Sequence, residues 1–290
     1  MKRLPPFTIS QPASVSEASE TIANHGGAAT LYAGGTELLL AMKEGVLAYE
    51  HLVDVKTIPG LDEIRLEVGE LWIGAAVTHA QIEHSPVIRE RLPALADVER
   101  RVANPRVRAT GTLAGNLCFA EPHSDPATLL LCLDARVVIE SAGGQRAARL
   151  DEFLVGAYET SLDEGEVVTH IVIPIPPSTW RIAYEKFGIH ERPTLGLAVV
   201  LEMDGAETIQ GARAAVGCVG PTPRRSAEAE QMLAGPVASI EERIEGAAKV
   251  LADDADLIAD LDGGVAYKRN LIRVFLRRTV QSALHEPSAV

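Results

Sequence analysis

The 290-residue chain is short of three things, and each shortage excludes a class of function. It has only three cysteines, Cys118, Cys132 and Cys218, too few and too widely spaced for a zinc or iron–sulfur site. They read as reduced thiols packed as small hydrophobes. It has no basic excess over its length: 27 Lys and Arg stand against 40 Asp and Glu, a formal charge of −13. A surface that tracks a phosphodiester backbone needs the opposite balance, so a general nucleic-acid binder is excluded. No run approaches the roughly 20 apolar residues of a membrane span. In "MKRLPPFTIS" two prolines stand where a secretory signal needs an apolar stretch, and the expectation is a cytoplasmic protein. Low-complexity tracts and internal repeats are also missing. What is present, 47% hydrophobic and 23% charged residues over this length, specifies a folded protein of two or three domains rather than one.

Local signals divide the chain into three modules. Ser14 with Glu17 forms a capping box that opens a helix with Val15, Ala18 and Ile22 on one face, ended by Gly26 and Gly27. "ATLYAGG" is a short strand running into a glycine loop, Glu37 to Lys43 a short helix stopped by Gly45, and "HLVDV" (51–55) a strand. In residues 58–177, "ELWIGAAV" (70–77) is a strand, Thr78 with Gln81 caps a second helix, and Pro86 and Pro93 divide the helical stretch that reaches Ala103. A long segment of glycine and small residues then leads to Asp125. With Pro126 at the favoured first helical position, Asp125 is a candidate cap for the apolar helix 127–133. "ARVVIES" with Gly143–Gly144 reads as strand and hairpin. After a boundary near 177 come strands at about 181–187, 195–203 and 211–219, then helices from near Ser226, Ser239 and Val265, an α+β order.

Two glycine-rich stretches carry the chemistry. "LYAGGTELLLAMK" (31–43) has neither the lysine followed by Ser or Thr of a nucleotide-hydrolase loop nor the three spaced glycines of the dinucleotide fingerprint. Glycine still allows backbone donors to approach an anion, and Thr36 with the helix start at Glu37 adds oriented N–H groups. The alternative is a tight β–α turn with no ligand. "TGTLAGN" (110–116) supplies hydroxyl and amide side chains and two more glycines in seven residues. Two such loops suit a long ligand with a pyrophosphate. The eight histidines show no metal-ligand spacing, and no serine sits on a nucleophile elbow, so no catalytic residue and no metal ligand is assigned.

"AGGTELLLAMK", "LVDVKTIPGL", "IGAAVTHAQI", "ATGTLAGNLCFAEPHSDPATLLLCLDA" and "YEKF", with "GCVGPTPRRSAEAEQ" and "AYKRNLIRVFLRRTV" later, resemble in order and spacing the FAD-binding medium subunit of molybdenum hydroxylases, the xanthine dehydrogenase and carbon monoxide dehydrogenase family. The resemblance spans nearly the whole chain. It implies an FAD-binding fold of the vanillyl-alcohol-oxidase (PCMH) type: subdomain 1 at residues 1–57 and subdomain 2 at 58–177, both α/β, hold an extended FAD. A C-terminal α+β domain at 178–290 carries a three-stranded antiparallel sheet and helices.

Carried onto this sequence, the resemblance puts Ala33, Gly34, Gly35, Thr36 and Glu37 in the first pyrophosphate loop and Thr112, Gly115 and Asn116 in the second. Asp125 falls near the ribityl and flavin end, Val167 and Lys186 near the isoalloxazine ring, and His79 at the "TH" pair that approaches the cofactor. Each has a plainer reading: Glu37 as a first-turn acid, Asp125 as a helix cap, Lys186 as a snorkelling strand lysine, His79 as a solvent-facing imidazole, Val167 as core.

Two stretches depart from the family pattern. Phe119 stands where asparagine is common, and the turn after Phe187 is short and reaches Pro193 early.

The resemblance further implies an electron-transfer subunit of a heterotrimer, arranged as a dimer of heterotrimers. A large subunit holds molybdopterin, a small one two [2Fe–2S] clusters, and FAD here delivers electrons to an external acceptor. A free-standing FAD oxidase or reductase with its own substrate, or a scaffold without cofactor, are the alternatives. The substrate and the acceptor are not written in this sequence.

Overall fold

The computed structural model describes residues 3–188 and 192–285; residues 189–191, in the turn expected to be short after Phe187, lie outside the described residues. Two compact units emerge, and neither is continuous in sequence: residues 1–85, 104–120 and 135–174 form one, and 86–103, 121–134 and 175–290 the other.

In the first unit, Thr8–Ser10, His51–Asp54 and Ala29–Tyr32 form a parallel sheet with His51–Asp54 in the centre. The helix Val15–His25 crosses between strands as a parallel connection requires. Its Ser14 hydroxyl accepts the Glu17 N–H at 3.2 Å, while the Glu17 carboxylate takes the N–H of Ala13, one residue earlier than a regular capping box would have it. Ala18, Val53, Val55, Ile58, Leu61, Ala76 and Val167 make one core of this unit, with Leu31 and Ala33 against it. The second sheet is antiparallel, in the order Ile64–Glu67, Glu70–Gly74, Val167–Pro174, Arg136–Ser141, Gly144–Arg149. The expected hairpin at Gly143–Gly144 joins its last two strands.

In the second unit, Arg181–Phe187, Leu195–Asp204 and Thr208–Gly217 form a three-stranded antiparallel meander, extended by the two-residue strands Arg224–Arg225 and Gly235–Pro236. The central strand is buried on both faces: Leu197, Ala198, Val199, Val200 and Leu201 are all fully covered. Helix Asp125–Cys132 packs against it, as does Val265–His285. Two covered faces explain why this strand reads as a continuous apolar run and not as an alternation. The helices Ala227–Leu233 and Ile240–Asp253 begin where Ser226 and Ser239 suggested.

The structure corrects two expectations. The stretch 110–116, read as a glycine loop, runs into a helix, Leu113–Phe119, whose cap Thr112 accepts the Gly115 N–H at 3.0 Å. Small residues hid it, because glycine and asparagine lower helix propensity while one strong cap offsets them. Asp125 is not the cap of the next helix. Ser124 caps it through Ala127, and Asp125 is its first residue, with both carboxylate oxygens engaged by side chains elsewhere in its unit.

Candidate cofactor site

Three segments of the first unit meet at two glycines. Strand Ala29–Tyr32 ends in the loop 33–37, and Gly35 lies at φ +68, a left-handed conformation that glycine adopts without penalty. Gly34 faces the second glycine stretch directly: a Cβ added there would lie 2.6 Å from the Cα of Gly111 and closer still to the carbonyl oxygen of Thr110. Gly111 in turn faces the His79 ring and the Thr36 hydroxyl, 3.2 and 3.3 Å from where its own Cβ would stand. Backbone bonds fix the register. His79 N–H donates to the Gly111 carbonyl at 3.0 Å, Leu113 N–H to that of Val77 at 3.4 Å, and Gly111 N–H to that of Val107 at 2.7 Å. The Thr78–Gln81 capping box forms as expected and holds the helix that starts at His79.

The sequence therefore indicated two loops, and the fold makes them one backbone surface. The N–H groups of Gly34, Gly35 and Thr36 donate to no protein acceptor among the described residues. Successive open donors around a left-handed residue are an arrangement that can receive an anion. Lys56 adds a cation to this loop. Its ammonium donates to the Ala33 carbonyl at 3.0 Å and to Asp54 at 2.7 Å, and lies 4.0 Å above the Tyr32 ring. The Asp54 carboxyl is subject to burial, which raises its pKa, but hydrogen bonds from Lys56 and Gln11 outweigh that and hold it below the usual carboxylate value. Neither Lys56 nor Gly111 was singled out from sequence. The signals were there, a lysine two residues after a strand aspartate and a glycine between two threonines, but neither is specific.

The other expected residues of this unit are placed as follows. Glu37 precedes helix Leu38–Glu44 without capping it through its side chain. Gly115 and Asn116 lie in the first turn of the Thr112-capped helix. His79 is 3% exposed, so the solvent-facing alternative does not hold. Val167, 1% exposed, contributes its side chain to the core beside Ala33. Phe119 stands edge-on to Tyr158, ring centroids 5.7 Å apart.

Asp125 and Lys186 meet in the second unit. The Lys186 ammonium donates to Asp125 at 2.9 Å and to the Arg101 carbonyl at 2.7 Å, so it is not a snorkelling surface lysine. The Tyr184 hydroxyl donates to the other Asp125 oxygen at 2.6 Å, and Arg101 lies over the Tyr184 ring and donates to its carbonyl. Burial pushes the Asp125 carboxyl up, against the pull of Lys186 and the Tyr184 hydrogen bond. Burial and the adjacent Asp125 push the Tyr184 phenol well above its usual value, so it remains a donor.

Comparison with known proteins gives the family and the fold. Residues 5–176 match the family described as the FAD binding domain in molybdopterin dehydrogenase, and residues 189–283 the CO dehydrogenase flavoprotein C-terminal domain. The chain belongs to the FAD-binding medium subunits of the molybdenum hydroxylases. Relatives of this flavoprotein include the carbon monoxide dehydrogenase medium chain of Hydrogenophaga pseudoflava, 33% identical over 96% of this chain and 97% of that one. The nicotine 6-hydroxylase medium subunit of Paenarthrobacter nicotinovorans is 32% identical over 97% and 98%. Among solved structures, carbon monoxide dehydrogenase from Hydrogenophaga pseudoflava lacking the Mo-pyranopterin moiety superposes with a TM-score of 0.93 at 34% identity, covering 97% of this chain and 98% of that one. Quinoline 2-oxidoreductase from Pseudomonas putida 86 gives 0.91 at 28% identity with the same coverage. The flavoprotein thus has the PCMH-type FAD fold with its C-terminal α+β domain, and the oxidoreductase class follows from the family. No helix among the described residues is long and apolar enough to cross a membrane.

Proposed function

We propose that this flavoprotein takes electrons one at a time from the [2Fe–2S] clusters of a small partner subunit and passes them from FAD to an external acceptor. A large subunit oxidises the substrate at molybdopterin, the three associate as a dimer of heterotrimers, and the assembly works in the cytoplasm. The observation that carries this reading is the single backbone surface built by Gly34 against Gly111, with the N–H groups of Gly34, Gly35 and Thr36 left open. Open donors on this loop, with the Lys56 ammonium on its Ala33 carbonyl, suit a pyrophosphate.

In this reading Ala33 to Glu37, with Thr112, Gly115 and Asn116, hold the pyrophosphate, and His79 fixes the angle between the two loops. Val167 shapes the apolar wall by Ala33, and Asp125 with Lys186 supplies the charged pair toward the flavin end. Residues 1–57, 58–177 and 178–290 are the corresponding modules. Bound FAD supplies two-electron storage with one-electron exchange; the chain's own work is to bind it, orient it and set its surroundings.

The test is an absorption spectrum of the isolated chain with identification of the released flavin, followed by addition of the reduced small subunit under anaerobic conditions. FAD in the supernatant and bleaching only when the small subunit is present support the reading. A chain that stays colourless after incubation with FAD, or one that turns over an organic substrate alone, overturns it.

A further inference from the structure

Outside the cofactor loops, His123 is the centre of a charged cluster within the second unit that the electron-transfer reading does not use. Glu121 grips it twice, accepting from its N–H at 3.1 Å and pairing with its Nδ1 at 2.8 Å. Arg192 approaches the same Glu121 carboxylate at 3.5 Å. On the opposite edge of the ring, Nε2 faces Asp260 at 3.8 Å and Asp262 at 3.7 Å. These two belong to the connection between helices Ile240–Asp253 and Val265–His285. There a tight turn with reciprocal Asp260–Gly263 backbone bonds, and the Asp262 N–H on the Asp260 carboxylate, presents both acids together. Lys268, 1% exposed on the last helix, places its ammonium on Asp260.

The electrostatics of this arrangement depend on one proton. With Nδ1–H committed to Glu121, a neutral imidazole turns the lone pair of Nε2 toward two carboxylates and repels them. The imidazolium turns the same contact into an attraction. The hydrogen bond to Glu121 raises the affinity of His123 for that proton against the effect of burial, and the charges of Glu121, Asp260 and Asp262 raise it further. A His and two Asp at these separations could also receive a divalent cation. Lys268 argues against that, because its ammonium already occupies the Asp260 oxygen that faces the ring.

We propose that His123 is a proton-operated clasp that fastens the 260–263 turn to segment 121–125, the segment that leads into Asp125. Lys268 anchors the turn to its own helix through Asp260, and His123 is the second fastening, made only when the ring is protonated. The sign follows from the raised affinity. The clasp is fully made below the unfolded value of about 6.5 and is lost as pH rises through the folded value. Rising pH therefore loosens residues 121–124 and 260–263 together, and with them the mooring of the first residue of helix Asp125–Cys132.

The test uses the full chain. The His123 ring is titrated by NMR, and amide hydrogen exchange is followed between pH 5.5 and 9 with correction for the intrinsic chemistry. The clasp requires His123 to titrate above 6.5 and Asp262→Asn to lower that value. Protection at 121–124 and 260–263 should fall together across the titration, by up to about tenfold for each unit by which the folded value exceeds the unfolded one. In His123→Gln both segments should exchange fast at every pH. Titration of His123 at or below 6.5, or protection that ignores its titration, overturns the proposal. So does protection above the titration that micromolar Zn²⁺ restores and EDTA removes, since the cluster would then be a metal site.

Discussion

Replacing Gly34 by alanine adds one methyl group where two backbones touch. Its Cβ would lie 2.6 Å from the Gly111 Cα, whereas carbon atoms rest at roughly 3.5 Å or more, so the loops must part by about 1 Å. The obstructing atoms are backbone and cannot rotate aside. Overpacking of this kind costs about 1–3 kcal/mol of stability, which a chain of this size can bear. The ligand suffers more. A donor moved about 1 Å from a phosphate oxygen leaves the roughly 2.9 Å optimum and ceases to be a hydrogen bond. Bonds to charged groups contribute about 1.5–3 kcal/mol each, so losing two raises the FAD Kd by about 10² to 10⁴. The assay is FAD binding to the apo chain by flavin fluorescence, with urea unfolding of the same apo sample as the measure of fold. Gly27→Ala is the control, because a Cβ there meets nothing within 4 Å, and its Kd should not change. Gly34→Ala binding FAD within a few-fold of the parent would refute the argument that this apposition builds the site.

Three further outcomes follow from the same reasoning. Asp125→Ala strands the Lys186 ammonium and the Tyr184 hydroxyl, and should cost about 3–5 kcal/mol in urea unfolding, with Tyr184→Phe nearer 1–3 kcal/mol; no change in either would remove the network from the stability of its unit. The Asp54 carboxyl is held below 3.8, so its contribution is present above that pH and is lost as pH falls through the depressed value. Asp54→Asn should flatten the stability–pH curve in that acid window, and an unchanged curve would contradict it. Burial pushes the Cys132 thiol up to about 12 and Cys218 well above its usual value. Both should react with a disulfide reagent at pH 8 only after denaturation, and fast reaction of the native chain would show the interior to be open.

Apart from helix Leu113–Phe119, whose small residues hid it, the named helices and strands, both glycine stretches, the Thr78 capping box and the late helices were legible in the sequence because each rests on short-range rules: caps, turn residues and apolar periodicity. Membership of the flavoprotein family was legible too, since its motifs are local strings. Three things were not. Gly111 looked like one glycine among several until Gly34 was found against it, and that apposition joins residues 77 positions apart, as no local rule can. Asp125 obeyed every rule for a cap, yet Tyr184 and Lys186, about 60 residues further along, take both its oxygens and leave the cap to Ser124. The division into units was also a tertiary decision. Residues 86–103 and 121–134 lie between segments of the first unit but pack into the second, because the apolar helix Asp125–Cys132 finds its cover on the Leu195–Asp204 strand. The sequence by itself determined which backbone donors and charges this protein carries. Only the folded chain decided which of them meet, because burial and long-range contact, not local propensity, choose the partners of a polar group.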